Sequence, residues 1–143
     1  LNNDQQYLDK YKPLFKNSKN IKLIQKAMFS STNEVRGTSY KSRIDDPKYQ
    51  FAGKTGTAQV KRITEKDREL DLKTFEIPYE ERDNALYVAF GPYKNPRYAT
   101  SIIIEHGGSG GTTAAPIAKK LFKLIIDRHK LRQSIKEKKY LDI

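Results

Sequence analysis

Cysteine and tryptophan are absent from these 143 residues, and there is a single methionine. Without cysteine, disulfides and thiolate metal sites are excluded, and the redox compartment is left open. Of the two histidines, His106 has no second histidine at metal-ligand spacing, so it reads as a structural or rim residue. No metal or other cofactor is expected. No apolar run approaches the ~18 residues of a membrane span, and no signal peptide opens the chain. Acidic residues are few: 17 Asp and Glu against 28 Lys and Arg, a net charge of +11. That balance suits a nucleic acid, an anionic membrane or a plainly soluble basic surface. No Arg-rich tract, aromatic-interleaved RNA motif or zinc-finger spacing accompanies it, which favours the plain surface and no nucleic-acid partner. The length suffices for one small domain with a real core.

What is present centres on Phe51-Ala52-Gly53-Lys54-Thr55-Gly56-Thr57-Ala58-Gln59-Val60. Lys54 can hold an anion as a point charge, and the hydroxyls of Thr55 and Thr57 can donate to the same anion. Gly56 lets a ligand approach the backbone closely. In a regular strand Lys54 and Gly56 share one face and Thr55 and Thr57 the other. Gly53-Lys54-Thr55 also spells the tail of a P-loop, but that motif needs glycine five places before Gly53, where Lys48 stands. A helix should also follow at once, and Gly56 to Val60 is poor helix material. The other reading is the Lys-Thr-Gly box of penicillin-recognising serine enzymes. Three letters recur by chance, and Lys54 as a plain surface lysine stays open beside it.

Around that strand the chain reads as an α+β domain. Residues 1–49 form a helical and loop entry: a short helix or loop over 1–20 interrupted by Pro13, then a helix over 18–29 capped by Ser18 or Asn20. Ile21, Ile24, Ala27 and Met28 on one face would pack that second helix on a sheet. Another short helix can start at Gly37-Thr38-Ser39-Tyr40, and Asp45-Asp46-Pro47 reads as a turn. Residues 50–105 hold antiparallel strands near 50–62, 85–91 and 97–105, a three-strand meander. The charge run at 65–71 reads as a solvated connecting loop. Residues 106–143 hold a glycine-rich loop, expected to be a flexible crossing near the site, and a terminal helix. That helix would start at Thr113 with Pro116 in its first turn and bury Ile117, Leu121, Leu124, Ile125 and Leu131 against the sheet. Lys119, Lys120, Lys123 and Arg128 would face out; a membrane-lying role is the less favoured alternative. Beyond Ser134 the lysine-rich tail is expected to fray.

Four blocks in order resemble the C-terminal part of a class B penicillin-binding protein transpeptidase domain, of the elongation type (penicillin-binding protein 2). They are Met28-Phe29-Ser30-Ser31-Thr32-Asn33 with Arg36-Gly37-Thr38-Ser39-Tyr40, then Gly53 to Val60 as the third catalytic box. Ala89-Phe90-Gly91-Pro92-Tyr93-Lys94-Asn95-Pro96 and Ile104-Glu105-His106-Gly107-Gly108-Ser109-Gly110 complete the set. The resemblance runs from about Met28 to Ile126. It implies a partial penicillin-binding, serine β-lactamase-like fold. It further implies acyl transfer from D-alanyl-D-alanine peptides in peptidoglycan cross-linking, and inhibition by β-lactams.

Under the resemblance, Lys54 and the backbone N–H of Thr57 are catalytic, the latter as half of an oxyanion hole. Thr55, Gly56 and Thr57 bind substrate or β-lactam. The family's nucleophile stands in Ser-x-x-Lys, and no serine here has lysine three places on. Ser31-Thr32-Asn33 spells the second box by letters alone, far too close to Lys54-Thr55-Gly56 to be it. Asn84 stands where many members carry histidine. The expected whole is therefore a parent enzyme of which this chain is an inactive portion. It would lie on the periplasmic side of the bacterial inner membrane, with its anchor outside this chain and cell-wall elongation proteins as partners. The family's neighbouring N-terminal strand being absent, the strand over 98–105 would offer a free edge for self-association. The alternative function is a non-enzymatic basic module binding nucleic acid or anionic membrane, marked by steep salt dependence.

Overall fold

The computed structural model describes residues 17–62, 65–70 and 72–141. The expected opening helix or loop lies outside them. Helix α1 spans Ser18–Asn33; its cap is Asn17, whose side chain accepts from the Lys19 N–H, in place of the expected Ser18 or Asn20. The helix meets the sheet through its last turn and not along a face: Ile24 is exposed while Thr32 is fully buried. A 3-10 turn over Tyr40–Ser42 follows, where a short helix was expected.

Strands β1 (Ala52–Ala58), β2 (Asn84–Gly91) and β3 (Tyr98–Ile104) form an antiparallel sheet in the order β1-β2-β3. Gly53 stands opposite Ala89, Thr55 opposite Tyr87, and Tyr87 opposite Ile102. This is the expected meander. The charge run expected as a loop contains a short helix, α2 (Glu65–Leu70). The Gly91–Pro92 peptide bond in the β2–β3 turn is cis.

Helix α3 spans Ala115–Leu141, two residues later than expected at its start, and stays helical past Ser134. Thr113 does not cap it; its hydroxyl donates to the Gly107 carbonyl (2.7 Å). The buried stripe also differs from expectation. Ala115, Ala118, Phe122 and Ile126 turn inward, whereas Ile117, Leu124 and Leu131 are exposed. The helix carries two apolar stripes, and the one with small residues lies on the sheet because alanine lets the backbones approach. Phe122 stacks on Phe51 with ring centroids 5.0 Å apart, and these join Ala85, Tyr87 and Ala89 in the core. The opposite sheet face leaves Val88 and Ile103 exposed.

Candidate functional site

Gly53 sets the position of Lys54. A Cβ on Gly53 would lie 2.2 Å from the Tyr87 hydroxyl oxygen, so only glycine fits beneath that ring. The Gly53 N–H donates to Thr32 Oγ1 (3.0 Å), which stands 2.9 Å from Tyr87 Oη. Tyr87 Oη is 3.0 Å from Ser39 Oγ, and Ser39 donates to the Ser31 carbonyl (3.0 Å). The three hydroxyls form one connected set, tied to the helix by Ser39 donating to the Ser31 carbonyl and Thr32 donating to that of Met28 (3.3 Å). All three side chains are buried. Burial holds the Tyr87 phenol above its ordinary pKa of 10.0, with the Ser39 and Thr32 hydrogen bonds opposing in part. Asn33 Nδ2 adds a bond to the Phe51 carbonyl (2.9 Å). The end of α1 and the turn at Ser39 are thus bolted to the start of β1.

The direction of the Gly53 N–H fixes the rest of the strand. It points to α1, away from β2, and in an antiparallel ladder N–H directions repeat every second residue. The Thr55 and Thr57 N–H groups therefore face the same outer edge of β1. The Thr55 carbonyl does too, and Lys54 Nζ donates to it (2.7 Å). Lys54 and Thr57 are exposed, and Thr55 and Gly56 half-buried. An ammonium, two backbone donors and two threonine hydroxyls thus line one accessible edge, a set able to hold a carboxylate and a second, developing anion.

Thr38 was not among the residues singled out as a site from the sequence. Its Oγ1 lies 3.1 Å from Thr55 Oγ1 and 3.2 Å from Ser31 Oγ. Only the chain reversal after α1 brings it there, and nothing in local spacing signals that contact.

The glycine-rich segment is not a loose crossing. Gly110–Ala114 forms a π turn against the strands. A Cβ on Gly110 would lie 2.3 Å from the Leu86 carbonyl and 2.6 Å from that of Gly56. Gly110 is buried and serves close packing behind the site, while buried Gly108 adopts a positive φ with a Cβ there only 2.4 Å from Thr74 Cγ2. His106 lies at the rim: its ring is 4.9 Å from that of Tyr79, and its backbone N–H donates to Asn84 Oδ1 (2.9 Å). Asn84 thus closes the end of β2 on the β3 exit. Among the described residues no group of His, Cys, Asp and Glu could hold a metal ion, and no helix is long and apolar enough to cross a membrane. The P-loop reading is overturned, because strand and not helix follows Gly53-Lys54-Thr55.

The chain thus combines a three-stranded antiparallel sheet, a terminal helix behind it and Lys-Thr-Gly-Thr along an outer strand. The pattern of the penicillin binding protein transpeptidase domain matches residues 7–123, and the chain belongs to that family. It is 42% identical over 105 residues to the peptidoglycan D,D-transpeptidase MrdA of Salmonella typhimurium, covering 73% of this chain and 16% of that protein. The MrdA of Haemophilus influenzae is 33% identical over 104 residues, with 73% and 15% covered.

Among solved structures, penicillin-binding protein 2 of Helicobacter pylori, in a complex with MreC, superposes with a TM-score of 0.59. It is 32% identical and covers 78% of this chain and 18% of its own. Penicillin-binding protein 2 of Pseudomonas aeruginosa, in complex with WCK 5153, gives 0.60 and 29%, with 80% and 21% covered. The chain therefore spans about a sixth of the length of these curated relatives. Nothing in these comparisons supports the non-enzymatic basic module.

Proposed function

We propose that this chain is the C-terminal portion of a serine-type peptidoglycan D,D-transpeptidase and supplies half of its active site. The observation that carries the reading is the Lys54-Thr55-Gly56-Thr57 edge of β1 within a chain of this family. In that reaction a serine outside these residues attacks the penultimate D-alanyl carbonyl. Its proton goes to a nearby base, free D-alanine leaves, and an acyl-enzyme remains for the acceptor amine. Lys54 balances charge and faces the substrate carboxylate. The Thr55 and Thr57 hydroxyls bind that carboxylate, Gly56 gives it room, and the Thr57 N–H donates to the oxyanion. A β-lactam takes the same route and stays as the acyl group.

The parent would work on the periplasmic side of the inner membrane. Its partners would be cell-wall elongation proteins, as the MreC complex of a structural relative suggests. Self-association through the β3 edge belongs to the same reading.

Intact mass after incubation with a fluorescent penicillin tests it, on this chain and on a longer one that includes the upstream serine. The expected result is no adduct on the 143 residues and a stoichiometric adduct on the longer chain, slowed strongly by Lys54→Ala. An adduct on this chain alone, or full-rate capture by the Lys54→Ala protein, would overturn the assignment.

A further inference from the structure

Three hydroxyls stand in line at the edge of β1: Ser31 Oγ, Thr38 Oγ1 and Thr55 Oγ1, separated by 3.2 Å and 3.1 Å. Each carries one proton and there are two links, so one proton is left to leave the row at an end. At the Ser31 end, no acceptor other than Thr38 meets Ser31 Oγ among the described residues. At the Thr55 end lies the accessible edge with Lys54 Nζ beside the Thr55 carbonyl. An anion placed there selects one direction for the whole row: Ser31 donates to Thr38, Thr38 donates to Thr55, and Thr55 donates to the anion. Hydrogen bonds in such a chain polarise one another, so Thr55 becomes a stronger donor than an isolated hydroxyl.

The row is held by parts that do not depend on a ligand. Ser31 sits in the last turn of α1, whose carbonyl accepts from both the Ser39 N–H (3.0 Å) and the Ser39 hydroxyl. Thr38 is therefore fixed one residue from an anchored position. Behind it, a Cβ on Gly111 would lie 2.5 Å from the Thr38 carbonyl and 3.6 Å from Thr55 Cγ2, so the π turn closes the rear of the pair.

We propose that Thr38, fed by Ser31, is a positioning residue that orients and polarises the Thr55 hydroxyl toward the carboxylate of the substrate. The inference rests on the acyl-transfer reading above and adds a residue which acts through Thr55 and not on the reacting carbonyl. Thr38 is exposed, so replacing its hydroxyl by a methyl group should leave the fold intact.

The test uses the longer chain bearing the nucleophile and compares acylation by benzylpenicillin with acylation by its methyl ester, which lacks the carboxylate. Thr38→Val should slow benzylpenicillin about three- to tenfold, the size of one modest hydrogen bond, and leave the ester unchanged. Thr38→Ser should restore the rate. An unchanged benzylpenicillin rate in Thr38→Val, or equal slowing of acid and ester, overturns the role of Thr38 while the acyl-transfer reading stands. Full-rate acylation of Lys54→Ala overturns that reading and this inference with it.

Discussion

Gly53 and Tyr87 show how a residue without a side chain can place one with chemistry. The Tyr87 ring fills the space a Gly53 Cβ would need, and its hydroxyl joins Thr32 and Ser39 in a closed set of bonds. Because Tyr87 is fully buried and held at its tip, it cannot swing aside. Gly53→Ala should therefore cost about 1–3 kcal/mol of stability, as overpacking does, read as a lower urea midpoint. Tyr87 also makes stability depend on pH. Its folded-state pKa lies above the ordinary 10.0 because burial disfavours the phenolate. A raised pKa means that the contribution is complete below the unfolded value and is lost as pH rises through the folded one. Stability should thus be insensitive to this group up to about pH 10 and fall above it. Tyr87→Phe should lose stability at neutral pH yet show a shallower alkaline fall, measured by thermal melts from pH 8 to 12.

At the scale of elements, α3 and the segment before it teach the same lesson from opposite sides. Strands β2 and β3 were legible because β-branched and aromatic runs met clear turn signals, whereas β1 was legible through its Lys-Thr-Gly-Thr letters. The helix itself was legible too, but not its inner face. The expected stripe was Ile117, Leu121, Leu124, Ile125 and Leu131; Leu121 and Ile125 are half-buried and the other three exposed, and the sheet buries Ala115, Ala118, Phe122 and Ile126. Close approach of helix to sheet rewards small residues beside one large ring, which summed hydrophobicity does not reveal. The glycine run before α3 misled for the same reason, since glycine chosen for contact reads like glycine chosen for flexibility. A pair of substitutions checks the corrected face. Phe122→Ala should cost about 3–5 kcal/mol, for it removes the stack on Phe51. Leu124→Ala, at a position 69% exposed, should stay within about 0.5 kcal/mol. Equal losses from chemical denaturation would return Leu124 to the core.

For the whole molecule, the sheet ends on β3, which has β2 on one side and no strand on the other among the described residues. Such an edge presents backbone donors and acceptors in a row, and neighbouring apolar side chains turn it into a template for another strand. Ile103 supplies that apolar character: it is 60% exposed on the sheet face opposite α3, whereas Ile102 and Ile104 lean on the core. The site motif itself was legible from eight consecutive letters. The β3 edge was expected only through the family resemblance, because which strand is outermost is decided by pairing and not by the strand's own residues. Two β3 edges meeting antiparallel would join two sheets and bring the Ile103 side chains together across the junction. The net charge of +11 opposes that contact at long range, so salt should strengthen it by screening. Sedimentation velocity should show a mean mass that rises with protein concentration and rises further with added sodium chloride. Ile103→Lys should abolish the rise without lowering the melting temperature, since the side chain it replaces is mostly in water. A single monomeric boundary at high concentration and high salt would count against edge pairing, and association surviving Ile103→Lys would move the contact to another surface.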